Sequence, residues 1–413
     1  MKVAVVGAGP AGLVAAKYSV QHGHECDVFE QTGAFGGVWI YTDDVGVDKE
    51  GVLIHTSMYK DLTTNFPKEL MSYPDCAYPD DQTKSYISQQ EVLGYLKKYV
   101  DEFNIKRLIQ FYTRVVDISP DVNEGWIIKT EDVKSNLKKE LVYDAVLICN
   151  GRFYEPTLPK INGQDLFKGP QTHSKDFRTP EPFKDQTVLI VGGSYSGQEL
   201  CLKIAPVAKR VILSHRAPIM YIKFPDNLTE KTEVAEFTAN GARFLDDTIE
   251  NFDCILYCTG FHYVCPFVSK KCGLNVDNNW IRPLYKQIIN VEYPTMHFIG
   301  LPYVACGIPL FDFQVQFSLA ALEKKFNLPS KEEMIKELGR YMDARRAKGI
   351  PDFQAHKLGN AEAQTDYLQQ LSDVSGIPPI RPVINKLYAR IKACVTLGCR
   401  FEIVDDENFR IIS

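Results

Sequence analysis

The sequence predicts an α/β protein of two Rossmann-like units, the smaller inserted into the larger. Three observations lead there: a strand, glycine turn and helix at residues 3–22; a second strand and glycine turn at 188–197; and two apolar strands, 144–151 and 253–260, that echo each other. At 413 residues the chain is too long for one ordinary domain, which leaves room for both units. Hydrophobic residues make up 45% and charged residues 24%, the balance of a globular chain with a large core.

The first unit opens with Val3-Ala4-Val5-Val6, a short buried strand, and the turn Gly7-Ala8-Gly9-Pro10-Ala11-Gly12. Helix is expected from Leu13 to about His22, and a second strand from Cys26 to Phe29 ends at Glu30 and Gln31. Together these parts make a complete dinucleotide fingerprint. Gly7 makes the tight turn, Gly9 lets the backbone approach a pyrophosphate, and Gly12 lets helix and strand close together. The helix start offers N–H groups to phosphate, and Glu30 accepts from a ribose 2′-hydroxyl.

The second unit repeats the pattern with Val188-Leu189-Ile190-Val191 and Gly192-Gly193-Ser194-Tyr195-Ser196-Gly197. Ser194 stands where the middle glycine would be, and its side chain is small enough to fit. Glu30 lies 23 residues after Gly7; the same step from Gly192 reaches His215, between Ser214 and Arg216. A basic pair has replaced the acidic ribose reader. A carboxylate would repel a 2′-phosphate, whereas a guanidinium can bind one with two parallel hydrogen bonds. The first unit therefore suits FAD and the second NADP, with a solvated strand end as the alternative for His215 and Arg216.

The echoing strands 144–151 and 253–260 would each finish at the carboxyl edge of a sheet, where cofactors sit. An apolar strand at 297–299, ending at Gly300, is expected to return the chain to the first unit. The expected domains are residues 1–168, the first part of the FAD domain; 169–287, the NADP domain; and 288–413, the second part of the FAD domain with a helical tail. In that tail Ser330-Lys331-Glu332-Glu333 reads as a capping box. Met334, Ile335, Leu338, Tyr341 and Met342 follow as one helix stripe. Such a stripe is core or subunit contact, and it is compatible with a homo-oligomer. The stretch 129–140 reads as an exposed hairpin.

A net charge of −5 and a pI near 6.0 speak against nucleic acid or an anionic membrane as the main partner. No apolar run approaches the ~18 residues of a membrane span, so no integral anchor is expected. The start of the chain shows no signal peptide, although a processed form stays open. The 11 cysteines are scattered, with no C-x-x-C pair, as in a reduced, cytoplasmic, soluble protein. No metal-ligand arrangement is evident.

Between the units lies Phe167-Lys168-Gly169-Pro170-Gln171-Thr172-His173-Ser174-Lys175-Asp176-Phe177-Arg178. This F-x-G-x-x-x-H-x-x-x-F resembles the identifying sequence of the class B flavoprotein monooxygenases. Its ending, Phe177 plus a base, is similar to that of the flavin-containing monooxygenases; Baeyer–Villiger relatives usually carry Trp there. The resemblance extends to Gly36-Gly37-Val38-Trp39, to Asn65 in Leu62-Thr63-Thr64-Asn65-Phe66-Pro67, and to Cys258-Thr259-Gly260-Phe261. It covers most of the first 320 residues. Segments 58–59 and 71–74 and Phe311-Asp312-Phe313-Gln314 are most similar to insect members, a branch that includes pyrrolizidine-alkaloid N-oxygenases.

The resemblance implies FAD and NADPH as cofactors, and O2 and a small amine or sulfide as substrates. In that family NADPH reduces FAD, the reduced flavin captures O2 as a C4a-hydroperoxide, and a soft nucleophile attacks the distal oxygen. Tertiary amines would give N-oxides, pyrrolizidine alkaloids such as senecionine among them. Asn65 would donate to the oxygenated flavin or to nicotinamide; otherwise it is a turn residue before Phe66-Pro67. Gln314 would contact flavin or substrate, with a cap or surface role the alternative. A Baeyer–Villiger enzyme and a non-catalytic NADP(H) sensor are the competing readings. A disulfide reductase would need a cysteine pair that the sequence lacks.

Overall fold

The computed structural model of the chain describes residues 1–79, 83–122, 125–216, 224–393 and 399–412. In its first strand, Val3 and Val5 are buried in one core while Ala4 and Val6 are buried in another. A strand covered on both faces needs no polar alternation, which is why the segment is a continuous apolar run. It lies inside a seven-stranded sheet ordered Leu284–Tyr285, Ile289–Asn290, Met296–Phe298, Ala145–Ile148, Lys2–Val6, Glu25–Phe29, Ile109–Gln110. Pairing is parallel from Met296–Phe298 to Ile109–Gln110, and antiparallel at the other edge. The helices Pro10–Gln21 and Gly307–Leu322 cover one face. A meander of Thr113–Pro120, Trp126–Asp132 and Lys138–Tyr143 covers the other, with Trp126 and Ile128 turned inward. Its second and third strands are the hairpin expected at 129–140.

The second unit is built to the same plan. Its five-stranded sheet runs Leu228–Lys231, Arg210–Ser214, Thr187–Val191, Cys254–Tyr257, Gln171–His173, all parallel. Val188 and Ile190 enter the core on the side of the helix Tyr195–Ile204. Leu189 and Val191 pack with the meander Val234–Phe237, Gly241–Phe244, Ile249–Asn251. The echoing strands hold equivalent places, each beside the first strand of its own unit.

Met296–Phe298 pairs with Ala145–Ile148 and returns the chain to the first sheet. The return begins upstream of residue 288. Tyr263, Cys265, Cys272 and Ile281 already sit in the first unit's core, and Leu284–Tyr285 forms its edge strand. These apolar residues are too widely spaced to show a period, so the sequence does not mark them. In the tail, Ser330 and Glu333 close the capping box of the helix Lys331–Ala347. Met334 and Met342 are buried there, but Ile335 is 46% exposed. Ile335 lies ~100° around the helix from Met334, which takes it off the covered face. The described cysteines are free thiols, all but Cys399 buried. Among the described residues, no helix is long and apolar enough to cross a membrane, and no His, Cys, Asp and Glu cluster could hold a metal.

A candidate active site between the two units

The two glycine turns are superposable in their demands. Gly7 has φ +102° and Gly192 φ +111°, and a Cβ on them would stand 2.6 Å from the Cys149 carbonyl oxygen and 2.5 Å from that of Cys258. At Gly12 and Gly197 a Cβ would stand 1.8 Å from the carbonyl oxygens of Gly7 and Gly192. The protein itself therefore requires these four glycines. Gly9 is different. A Cβ there would meet nothing nearer than Gly37 Cα at 3.5 Å, an ordinary contact. What keeps Gly9 bare is the room it leaves in the cleft.

Gly36 and Gly37 close the back of this cradle. The Gly36 N–H donates to the Ala8 carbonyl at 2.9 Å, and a Cβ on Gly37 would press to 2.9 Å from Gly9 Cα. Both helices start without a side-chain cap, at Gly9 and at Ser194. Their first N–H groups are thus left for a ligand. Glu30 is buried; its carboxylate accepts from the Ala8 N–H at 3.0 Å and from the Thr32 N–H at 2.9 Å. It fixes the turn while forming part of the wall.

Both turns open on one cleft of about 2080 Å³, well above the ~300–1,000 Å³ of a pocket for a single small ligand. The first unit contributes Gly7, Gly9, Pro10, Ala11, Glu30, Gln31, Gly37, Val38 and Trp39 to its walls, with Asn65 further on. The second contributes Gly192, Ser194, Tyr195, Ser196, Ser214, His215, Arg216, Thr259 and Gly260. Gly12, Gly36 and Gly197 stand behind the walls as supports.

Gln314 is not brought to the cleft. It is fully buried in the helix Gly307–Leu322, its Oε1 accepting from the Gly300 N–H and its Nε2 donating to the Tyr367 hydroxyl, both at 2.8 Å. With both ends of the amide spent, it supports the Gly300 turn instead of touching a ligand.

The basic pair faces acids. His215 Nε2 lies 3.2 Å from Glu230 Oε1, and Arg216 Nε donates to Glu233 Oε1 at 2.5 Å. The Arg216–Glu233 pair is largely exposed, so it holds its cation weakly. Asn65 sits on a bend pinned from both sides. Thr64 N–H donates to the Ile87 carbonyl at 2.8 Å, and the Phe66 ring lies 5.6 Å from that of Tyr388. Its own amide is exposed to the cleft and makes no protein hydrogen bond among the described residues.

A flavin-binding monooxygenase-like family model matches residues 1–223 and 222–392. The chain belongs to that family. It is a flavin-containing monooxygenase, with FAD and NADPH as its cofactors. It is 36% identical to the flavin-containing monooxygenase FMO GS-OX4 of Arabidopsis thaliana, over 92% of this chain and 85% of the relative. It is 32% identical to the senecionine N-oxygenase of Tyria jacobaeae, over 100% and 90%. Among solved structures it resembles the S-allyl-L-cysteine S-oxygenase of Allium sativum, with TM-score 0.88, 31% identity, and 95% and 92% of the two chains covered.

In this monooxygenase the identifying sequence is a joint. Phe167 packs on Phe252 at 4.9 Å, and Gly169 has no space for a Cβ, which would stand 2.2 Å from the Asp253 carbonyl oxygen. His173 ends the edge strand of the second sheet, with its ring 5.1 Å from Phe261. Burial pushes it down to about 4, so it is neutral and packed, not a proton carrier. Phe177 meets Tyr59 of the first unit edge-on at 5.5 Å. The buried Arg178 guanidinium donates to the carbonyls of Lys175 and Phe177 and, across the joint, to those of Asp44 and Thr56. The outgoing and returning connections also pair with each other, Pro156 with Phe261 and Glu155 with His262.

Sequence reasoning missed several wall residues. Tyr59 donates to Glu199 across the cleft, and Arg152 lies one residue beyond the strand-end turn Asn150-Gly151. For Arg152 that position was the available signal. For Tyr59 and Glu199 there was none, because their meeting depends on how the units dock.

Proposed function

We propose that the chain is an NADPH- and O2-dependent monooxygenase of small soft nucleophiles, oxygenating a tertiary-amine nitrogen or a thioether sulfur. The observation that carries this is the opening of both glycine cradles onto one cleft, with the Asn65 amide unspent on its wall. The likeness to an N-oxygenase and to an S-oxygenase, each along nearly the whole chain, supports both heteroatoms, and alkaloids such as senecionine are the favoured amines.

FAD would lie in the first cradle, its pyrophosphate at Gly9 and the helix start and its ribose toward Glu30 and Gln31. NADPH would lie in the second, against Ser194, Tyr195 and Ser196, with Ser214, His215 and Arg216 at its adenosine end and Thr259 and Gly260 opposite. When bound, FAD reduced by NADPH supplies the oxygen-activating chemistry. Asn65 would orient what reacts by donating a hydrogen bond. Leu62, Phe66, Ile308 and Phe311 give the cleft apolar walls that limit water near the reacting atoms. An ammonium has no lone pair to offer, so only the free amine is a substrate.

The test is mass spectrometry of products from a tertiary amine, a thioether and a cyclic ketone, each with NADPH. An N-oxide or S-oxide is expected; oxygen gained by the ketone alone, as a lactone, would make the enzyme a Baeyer–Villiger catalyst instead. Asn65→Ala should still consume NADPH but release more hydrogen peroxide and less product. Unchanged coupling would return Asn65 to a turn residue.

A further inference from the structure

Arg152 follows the end of the strand Ala145–Ile148, and its side chain lines the cleft. Three rings surround the guanidinium: Tyr303 at 4.2 Å from its centroid, Phe153 at 5.0 Å and Tyr263 at 5.7 Å. The rings are held in turn. Tyr263 is buried and its hydroxyl donates to the Leu301 carbonyl. Tyr303 exchanges backbone hydrogen bonds with His356 at 3.0 Å and Leu358 at 2.9 Å, and Phe153 stands edge-on to Phe261 at 5.3 Å. Contacts with ring faces orient a guanidinium but use none of its five N–H donors.

Those donors are not spent on the protein. Among the described residues no carboxylate lies within 4.0 Å of Arg152, and no protein acceptor takes a hydrogen bond from it. Across the cleft, the His215 ring and the Arg216 guanidinium each face an acid. Burial first, then the charges of Arg152 and Arg345, push the neighbouring His356 down to about 3, so its ring adds no positive charge beside Arg152. Packing alone would be served by an apolar side chain. An oriented fork with unspent donors in a ligand cleft is the arrangement that recognises an oxyanion.

We propose that Arg152 is an oxyanion-binding side chain of the cleft, held by its aromatic cage to receive a carboxylate or phosphate that enters with a ligand. The proposal rests on the reading that both cofactors and the substrate share this cleft. The anion is then either a carboxylate on the soft nucleophile or a phosphate of NADPH.

The experiment uses the flavin-loaded full chain with NADPH, an amino-acid thioether and the methyl ester of that thioether. Arg152→Gln should raise KM for the anion-bearing ligand about ten- to a hundredfold, the loss of a charge-assisted bond, with kcat changed less. Arg152→Lys should recover part of that loss, as a point charge without the planar fork. A rise for the free acid but not the ester assigns the anion to the substrate. A rise for NADPH, with acid and ester affected alike, assigns it to a cofactor phosphate. Unchanged KM for all three overturns the proposal. Inorganic phosphate tests the unmodified protein without any variant: it should compete with the same ligand, and failure to compete with either NADPH or the acid also overturns it. If the unmodified protein oxygenates neither thioether, the substrate reading fails, while the NADPH arm still tests Arg152.

Discussion

Glu233 and Arg216 set the charge that an entering 2′-phosphate meets. Arg216 follows His215, which lies 23 residues after Gly192, so spacing from the glycine turn marks it; Glu233 immediately precedes the meander, and nothing in the sequence links the two. A bound phosphate must take Arg216 from Glu233 and tolerate the carboxylate nearby. Arg216→Ala is therefore expected to weaken NADPH about tenfold, with NADH little changed, while Glu233→Gln strengthens NADPH several-fold. Titration of both nucleotides against both variants checks this, and equal losses for NADPH and NADH would make Arg216 structural. The same contrast runs through the site. Gly9, Gly12 and Glu30 were legible because their roles are set by backbone geometry within one strand–turn–helix unit. Gln314 and the ring cage of Arg152 were not legible, because their partners, Tyr367 and Tyr303, are brought near only by tertiary packing.

At the scale of elements, the central strands were legible because burial on both faces leaves unbroken apolar runs, and the capping box marked a helix start. The helix Gly307–Leu322 carries a feature that patterning does not reveal: Asp312 in its buried face, close to Lys17 of the helix Pro10–Gln21. Its carboxylate accepts from Gln316 at 2.7 Å, yet burial raises it from 3.8 to about 6. A carboxyl raised in the fold binds its proton more tightly there than in the unfolded chain. Its contribution to stability is full below pH ~4 and is lost as pH rises through about 6. Asp312→Asn keeps the neutral shape. Its gain in stability over the unmodified protein should grow between about pH 4 and pH 6 and level off above, at on the order of 3 kcal/mol, read as a rise in thermal midpoint. A difference independent of pH would place the effect in packing.

For the whole molecule the issue is what holds two similar units at one angle over a shared cleft. The boundary was only partly legible, because the chain re-enters the first core through scattered residues such as Tyr263 and Ile281 before a regular strand forms. The family signature marks the joint without disclosing its mechanics, which centre on Arg178. Its guanidinium is buried and spends its donors on four carbonyls, those of Asp44 and Thr56 on one side and Lys175 and Phe177 on the other. Arg178→Ala would leave the buried oxygens of Lys175, Phe177 and Thr56 unpaired, a cost on the order of 2–4 kcal/mol. Arg178→Lys should recover little, because one ammonium cannot reach carbonyls that a planar fork spans. The loss falls between the units, so the smaller unit, no longer braced by the larger, should melt before it. In the unmodified protein, flavin release and loss of helical circular dichroism are expected together on heating. In Arg178→Ala, part of the circular dichroism should be lost at a lower temperature than flavin fluorescence appears, since the first cradle lies wholly within the larger unit. Transitions that stay coincident, with only a common fall in midpoint, would mean that Arg178 stabilises the molecule as a single cooperative body and is not the joint that couples its halves.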